Sequence, residues 1–264
     1  MNTNTPVLTE RFDDVLQLTL NAPHVRNSLQ APGVYEGLMG GLEQLDRDRS
    51  LRAAIITGAG GAFCSGGDLR QLADGEEDEI RSGMTRNAWL YRRIALSDKL
   101  LVAAVDGPAY GAGLGLAAAC DIVVAGQNAA FCCAFTRVGA MPDAALFWSL
   151  PARVGVGQAR RLMLWAGEVK GPEALAMGLA DEHDPQGSAL PRAHEVAQRI
   201  AQGPVRALGR IKAGLRQSPM TLEQALGFQL DNAPGLFVSD DFREGAAAFF
   251  EKRPPRFNRG PGGN

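Results

Sequence analysis

The stretch LVAAVDGPAYGAGLGLAAACDIVV, residues 101–124, holds the reading that decides the fold. Residues 101–105 form a short apolar run with the length of a buried strand, and Asp106-Gly107-Pro108 stops it. A glycine-dense turn at Gly111 then opens an apolar helix predicted over 112–119, and Ile122-Val123-Val124 forms the next strand. Upstream, Ala53-Ala54-Ile55-Ile56-Thr57 has the same form and ends at Gly58. Strand, glycine turn, helix and strand therefore recur, which specifies an α/β fold with parallel strands.

Outward from this core, residues 7–20 read as a hairpin. Apolar residues alternate in Leu16-Gln17-Leu18-Thr19-Leu20, and Asp13-Asp14 marks the turn. Val34, Leu38, Leu42 and Leu45 have helical spacing within 32–45. Beyond about Pro185 the strand signal stops, and helices are expected over 191–202, 204–216 and 221–230. Thr221 and Gln224 have the spacing of a capping box, and a last helix runs from Asp241 to Lys252 before Pro254-Pro255. The division expected from this change is an α/β core over 1–185 and a helical module over 186–264, with a frayed end at 261–264. The acidic segment 74–79 reads as a solvated loop or helix edge.

Composition narrows the classes of function. A net charge of −2, with both signs mixed along the chain, leaves no basic stripe for nucleic acid or an anionic membrane. The longest apolar run, 100–119, contains Asp106, Pro108 and four glycines, unlike a membrane span of about 20 apolar residues. Residues 1–15 are polar and carry Glu10, Arg11, Asp13 and Asp14, which is not the layout of a secretory signal. Cys64, Cys120, Cys132 and Cys133 show neither metal-ligand spacing nor a disulfide framework, and the adjacent Cys132 and Cys133 read as small core residues of a reduced, cytoplasmic protein.

Glycine turns after strands raise the question of a nucleotide site. Starting from Gly58 or Gly111, the last glycine of the dinucleotide fingerprint falls on Phe63 or Leu116. Starting from Gly113 it falls on Ala118, inside the helix, and no phosphate-loop lysine is present. Two other uses of such turns stay open. One is tight packing of turns on helices; the other is a pair of free backbone amides that converge on a substrate carbonyl and stabilise an enolate there.

Several ordered motifs cover nearly the whole chain. They include Asn21-Ala22-Pro23 with Arg26-Asn27-Ser28-Leu29, Phe63 through Leu69, and Asp106 through Asp121. Pro142-Asp143 through Leu150-Pro151, the segment 167–180, and Phe249-Phe250-Glu251-Lys252-Arg253 continue the series. In these motifs the chain resembles the crotonase (enoyl-CoA hydratase/isomerase) superfamily. The resemblance implies a spiral of ββα units followed by a helical trimerisation module, and a homotrimer or homohexamer. It implies an acyl-CoA thioester substrate, with coenzyme A part of the substrate and no separate cofactor or metal. The implied oxyanion donors are the amides of Ser65 and Ala112. The implied substrate-contacting positions are Cys64, Ser65, Gly66, Gly67, Asp68, Leu69, Gly111, Ala112 and Phe135. Arg26, Phe249 and Lys252 are implied at the CoA phosphates and adenine, although Arg26 and Lys252 equally suit solvent-facing positions.

Departures from the family pattern direct the chemistry. Hydratases of the superfamily use two glutamates, and the motif spacing places them at Gly115 and Phe135. Neither residue can activate water or protonate a carbon. Asp121, after Cys120, suits the end of the helix. Asp143 remains, with two readings: the N-cap of a helix beginning near Ala144, or the acid/base residue that specialised branches of the superfamily place here. One carboxylate suffices to move a double bond, because it removes a proton from one carbon and returns it farther along. Met141, Phe135 and Phe147 are the apolar neighbours in sequence expected to desolvate it. Cys64 has no histidine near it in sequence, and His24, His183 and His194 read as surface or loop residues. The expected activity is an enoyl-CoA isomerase. The alternatives are a hydratase-like lyase using carboxylates from elsewhere, such as 74–79, and a CoA-ester binder without catalysis.

Overall fold

A computed structural model describes residues 5–258. The expected frayed end at 261–264 and the first four residues of the polar N-terminus lie outside the described residues.

The hairpin forms as expected, with β1 (Val7–Phe12) antiparallel to β2 (Val15–Leu20) and Asp13 at the turn in the left-handed region, φ 52°. Next come β3 (Ala53–Gly58), β4 (Leu100–Val105), β5 (Pro108–Tyr110), β6 (Ile122–Ala125), β7 (Ala130–Cys132), β8 (Glu168–Lys170) and β9 (Glu182–His183). The main sheet has six strands in the order β1-β2-β3-β4-β6-β9, parallel from β2 onward. A second sheet of three strands runs β5-β7-β8. Among the described residues no helix is long and apolar enough to cross a membrane.

Both faces of the main sheet are buried, which explains why its strands read as continuous apolar runs. Leu16, Leu18, Leu20, Ala54, Ile56, Leu101, Ala103 and Val105 point into the larger core. Val15, Ala53, Ile55, Val102, Ala104 and Val124, the alternate residues, form a second core. Helix α7 (Ala189–Gln202) covers that second face through Ala189, Ala193, Ala197 and Ala201. An alanine every fourth residue makes a stripe of methyl groups, so the helix lies close against the strands. By packing, α7 therefore goes with the sheet, although it follows the change in character near residue 185. Within α7, His194 is half-buried and bonds Gln17 of β2 at 2.8 Å, while His183 lies on β9; neither is a simple surface residue.

The remaining helices are α1 (Val34–Arg47), α2 (Leu69–Asp74), α3 (Glu77–Leu96), α4 (Ala112–Ala119), α5 (Leu146–Trp165), α6 (Gly171–Ala176), α8 (Val205–Leu215), α9 (Leu222–Phe237) and α10 (Asp240–Glu251). The acidic segment runs from Asp74 at the end of α2 into the first turn of α3, where Glu77, Asp78 and Glu79 lie at the positive end of the helix dipole. Thr221 and Gln224 complete the capping box of α9. Helix α10 packs on α9 and α9 on α8. Lys212 of α8 ties this chain of helices to the core through Asp121 at 2.8 Å and the carbonyls of Ile94 and Lys99 at 2.9 and 3.1 Å. Asp121 also accepts from the Leu101 amide at 2.8 Å, so the residue that follows α4 fixes the start of β4 as well.

Candidate active site

Two loops meet above the sheet: 62–69 after β3, and the turn from β5 into α4. Cys64 joins them as a strand would. Its amide donates to the Pro108 carbonyl, and its own carbonyl accepts from the Tyr110 amide, each at 3.0 Å. The approach is backbone against backbone. A Cβ at Gly66, where φ is +89°, would lie 2.7 Å from the Tyr110 oxygen and 2.9 Å from the Ala112 nitrogen. A Cβ at Gly113 would collide with the Cys64 carbonyl. Glycine is thus required at both positions by contact.

The early motif clamps the first loop. Fully buried Asn27 donates to the carbonyls of Ala59 and Ala62 at 2.8 and 2.7 Å, and accepts from the Ala22 amide at 2.9 Å. The Ser28 hydroxyl and the Leu29 amide both donate to the Gly66 carbonyl, at 2.9 Å each.

Hydrogen-bond accounting along this loop corrects one expectation. The Ser65 amide donates to the Arg26 carbonyl at 2.9 Å and is not available to a ligand. The Gly66 amide faces the Cys64 sulfur at 3.4 Å, and the Asp68 amide donates to the Gln30 carboxamide. Gly67 is left with an uncommitted amide among the described residues. Ala112 has one too: as the first residue of α4 it has no intrahelical acceptor, and no other group takes its place. The uncommitted pair on the two converging loops is therefore Gly67 and Ala112. The motif alone does not reveal which amide is free, because that depends on what Arg26 contributes from another loop.

Cys64 itself is fully buried, and burial pushes its thiol up to about 12. Its backbone holds the two loops together, and a thiol raised this far is mostly un-ionised at neutral pH and poorly suited to act as a nucleophile. Asp68 instead caps α2 through the Arg70 amide at 2.9 Å, and Leu69 is exposed.

Beside Ala112 lies a cleft of about 640 Å³ whose lining includes Met84, Asn87, Ala88, Tyr91 and Leu96 of α3, with Asp143, Ala144, Ala145, Trp148 and Arg216. Asp143 is the one carboxylate in the lining among the described residues. The cap reading fails for it. Helix α5 starts at Leu146, its N-cap is Ala145 with φ 58°, and no side chain caps it. Asp143 Oδ1 is instead buried with no hydrogen-bond partner. Burial holds its carboxyl above the ordinary value of 3.8, opposed only by its own backbone amide. Two of the three apolar side chains expected to supply that desolvation are largely in solvent. Met141 and Phe147 are 72% and 60% exposed, while Tyr91, Ala112 and Ala144 share the cleft lining with Asp143.

Tyr91, buried, donates to the Ala112 carbonyl at 3.3 Å, and the nearby Cys64 and Asp143 add to the desolvation that raises its phenol. Tyr91 and Asn87, one turn apart on α3, were not found in the sequence. The signal was present: 84, 88, 91 and 95 recur at helical spacing and mark one face.

The two empty glutamate positions have physical occupants. A Cβ on Gly115 would lie 2.5 Å from both the Cβ and the carbonyl oxygen of Ala144, so backbone fills the place of a side chain. Ala144 and Ala145 both have positive φ, 53° and 58°, which turns the chain toward α4. Phe135 is half-buried against the core and approaches Gly111. Of the segment 74–79, no residue lines the cleft. Arg26, Phe249 and Lys252 are exposed and lie outside that lining, and Arg26 contributes its carbonyl to Ser65. Among the described residues no group of three or more His, Cys, Asp or Glu is placed to hold a metal.

A family model for enoyl-CoA hydratase/isomerase matches residues 10–260. The chain belongs to this family. It is 39% identical over 247 residues to a probable enoyl-CoA hydratase of Rhodobacter capsulatus, covering 91% of this chain and 93% of that one. It is 34% identical over 248 residues to the 1,2-epoxyphenylacetyl-CoA isomerase of Escherichia coli K12, covering 92% and 94%. Among solved structures, an enoyl-CoA hydratase from Polaromonas sp. JS666 superposes with a TM-score of 0.89 at 31% identity, over 95% of this chain and 99% of that one. Family membership makes this chain an acyl-CoA enzyme and accounts for the crotonase fold, with the C-terminal helices in the place of the trimerisation module.

Proposed function

We propose that this family member moves a double bond in an enoyl-CoA thioester, with Asp143 carrying the proton. The observation that carries this reading is the single carboxylate in the cleft, with a buried oxygen that no protein group satisfies. The Gly67 and Ala112 amides receive the thioester oxygen as it gains charge, which is where fixed donors contribute most. Asp143 takes a proton from the carbon between carbonyl and double bond, and a dienolate forms against the two amides. The same carboxyl then returns the proton two carbons farther along.

Hydration is the reading favoured by relatives such as that of R. capsulatus. It needs a second group to activate water, and Gly115 cannot carry one beside Ala144. Isomerisation of 3-hexenoyl-CoA is accordingly expected to run far faster than hydration of crotonyl-CoA. Because burial raises the Asp143 pKa and the carboxylate is the working base, kcat/KM should fall with falling pH through a value above 3.8. Efficient water addition that survives Asp143→Asn would overturn this mechanism. A pure CoA-ester binder would show neither turnover nor exchange of the α-proton in D2O.

The same reading includes a cytoplasmic homotrimer, or a hexamer made of two trimers. Leu230 and Phe237 of α9 and Phe249 and Phe250 of α10 are 61–80% exposed, an apolar surface that supports association. Light scattering at micromolar concentration is expected to give a trimer or hexamer mass, and a stable monomer would count against it.

A further inference from the structure

Among the described residues, four buried side-chain polar atoms lack a hydrogen-bond partner, and two of them, Asn87 Oδ1 and Asp143 Oδ1, belong to residues lining one cleft. They come from different elements, α3 and the loop before α5. Proteins leave few such atoms, and each calls for an explanation. Asp143 has one in the proton transfer proposed above. Asn87 has none there: it is not a carboxylate, it caps nothing, and it bonds no backbone group.

Its neighbours define what it is for. Met84, Ala88 and Leu96 of the same helix, with Trp148, give the lining an apolar part suited to a hydrocarbon chain, alongside Arg92 and Arg216. Asn87 Oδ1 is already shielded from water and unpartnered in the free protein, and a plain hydrocarbon leaves it so. A hydroxyl on the chain would satisfy it.

The geometry points to Asn87 as a specificity residue that accepts a hydrogen bond from a hydroxyl on the acyl group, so that the substrate is an oxygen-substituted enoyl-CoA and not a plain aliphatic one. This inference rests on the acyl-CoA site proposed above and names the chemistry of its acyl end.

The test uses the unreacting saturated esters hexanoyl-CoA, 3-hydroxyhexanoyl-CoA and 5-hydroxyhexanoyl-CoA, titrated by calorimetry against the intact protein. At least one hydroxy ester is expected to bind roughly tenfold more tightly than hexanoyl-CoA, the worth of one neutral hydrogen bond. Asn87→Leu should erase that preference and bind hexanoyl-CoA at least as well as the unsubstituted protein. Asn87→Ala serves the same purpose if leucine disturbs the packing of α3. Equal affinity of the native protein for all three esters would overturn the inference while leaving the CoA site intact. A preference that persists in both variants would also overturn it. Binding of none of the three would instead overturn the acyl-CoA site on which it rests.

Discussion

Asp143→Asn is expected to lower isomerase turnover about a hundred- to ten-thousand-fold, the usual loss for a general acid/base, while CoA-ester affinity stays near that of the unsubstituted protein. Asparagine preserves the shape of the side chain but cannot accept and return a proton. The amides of Gly67 and Ala112 belong to the backbone, and the substitution leaves them in place. The same variant should melt at a higher temperature at neutral pH. Burial raises the folded-state pKa of Asp143, so between 3.8 and that raised value the folded chain binds more protons than the unfolded one. Stability therefore falls as pH rises through that window, and above it the buried charge remains a cost that asparagine removes. Lost turnover with retained affinity and a raised melting temperature is the signature of a buried working carboxylate. Near-normal turnover would remove Asp143 from the mechanism, and a lowered melting temperature would mean that its charge supports the fold.

Lys212→Met is expected to destabilise the protein by about 3–5 kcal/mol, the range for breaking a buried ion pair by removing one partner. The Lys212 side chain is 8% exposed, and its ammonium group sits between Asp121 Oδ2 and two carbonyls, those of Ile94 and Lys99. Desolvation already pushes the Asp121 carboxyl up, and Lys212 is the largest influence holding it down. Without the lysine, Asp121 keeps its burial and the Leu101 amide but loses its main counter-charge. Adding Asp121→Asn to the lysine variant should recover part of the loss, since asparagine still accepts from Leu101 without a charge. Urea unfolding of the two single variants and the double variant measures this directly. A loss below about 1 kcal/mol, the range of surface ion pairs, would show that the helices after residue 203 do not depend on this ion pair.

The two substitutions probe different levels of legibility. Asp121 was visible in the sequence as a residue ending a helix, but its partner lies 91 residues away, and nothing local marks Lys212 as buried. Helix α4 was read to the residue over 112–119, and β3 and β4 to within one residue, because apolar runs stopped by glycine and proline are local signals. The start of α5 was misplaced by two residues: Ala144 and Ala145 adopt positive φ, which nothing in an alanine pair announces. That displacement is what frees Asp143 from capping. In the loop at 62–69, the amide that the motif points to is not free, since Ser65 donates to the Arg26 carbonyl of a separate loop.

By itself, then, the sequence determined the α/β class, the presence of two glycine-rich loops, the helical tail and the resemblance to the family, all of which rest on short-range patterns of apolar, glycine and capping residues. It also determined that Gly115 cannot supply a carboxylate. Only the tertiary structure decided which amides remain free, that Asp143 is an unsatisfied carboxylate in a cleft and not a cap, and that Asn87 lines the same cleft. These depend on hydrogen-bond partners and burial contributed by residues distant in the chain, and such partners are fixed only when the backbone closes on itself.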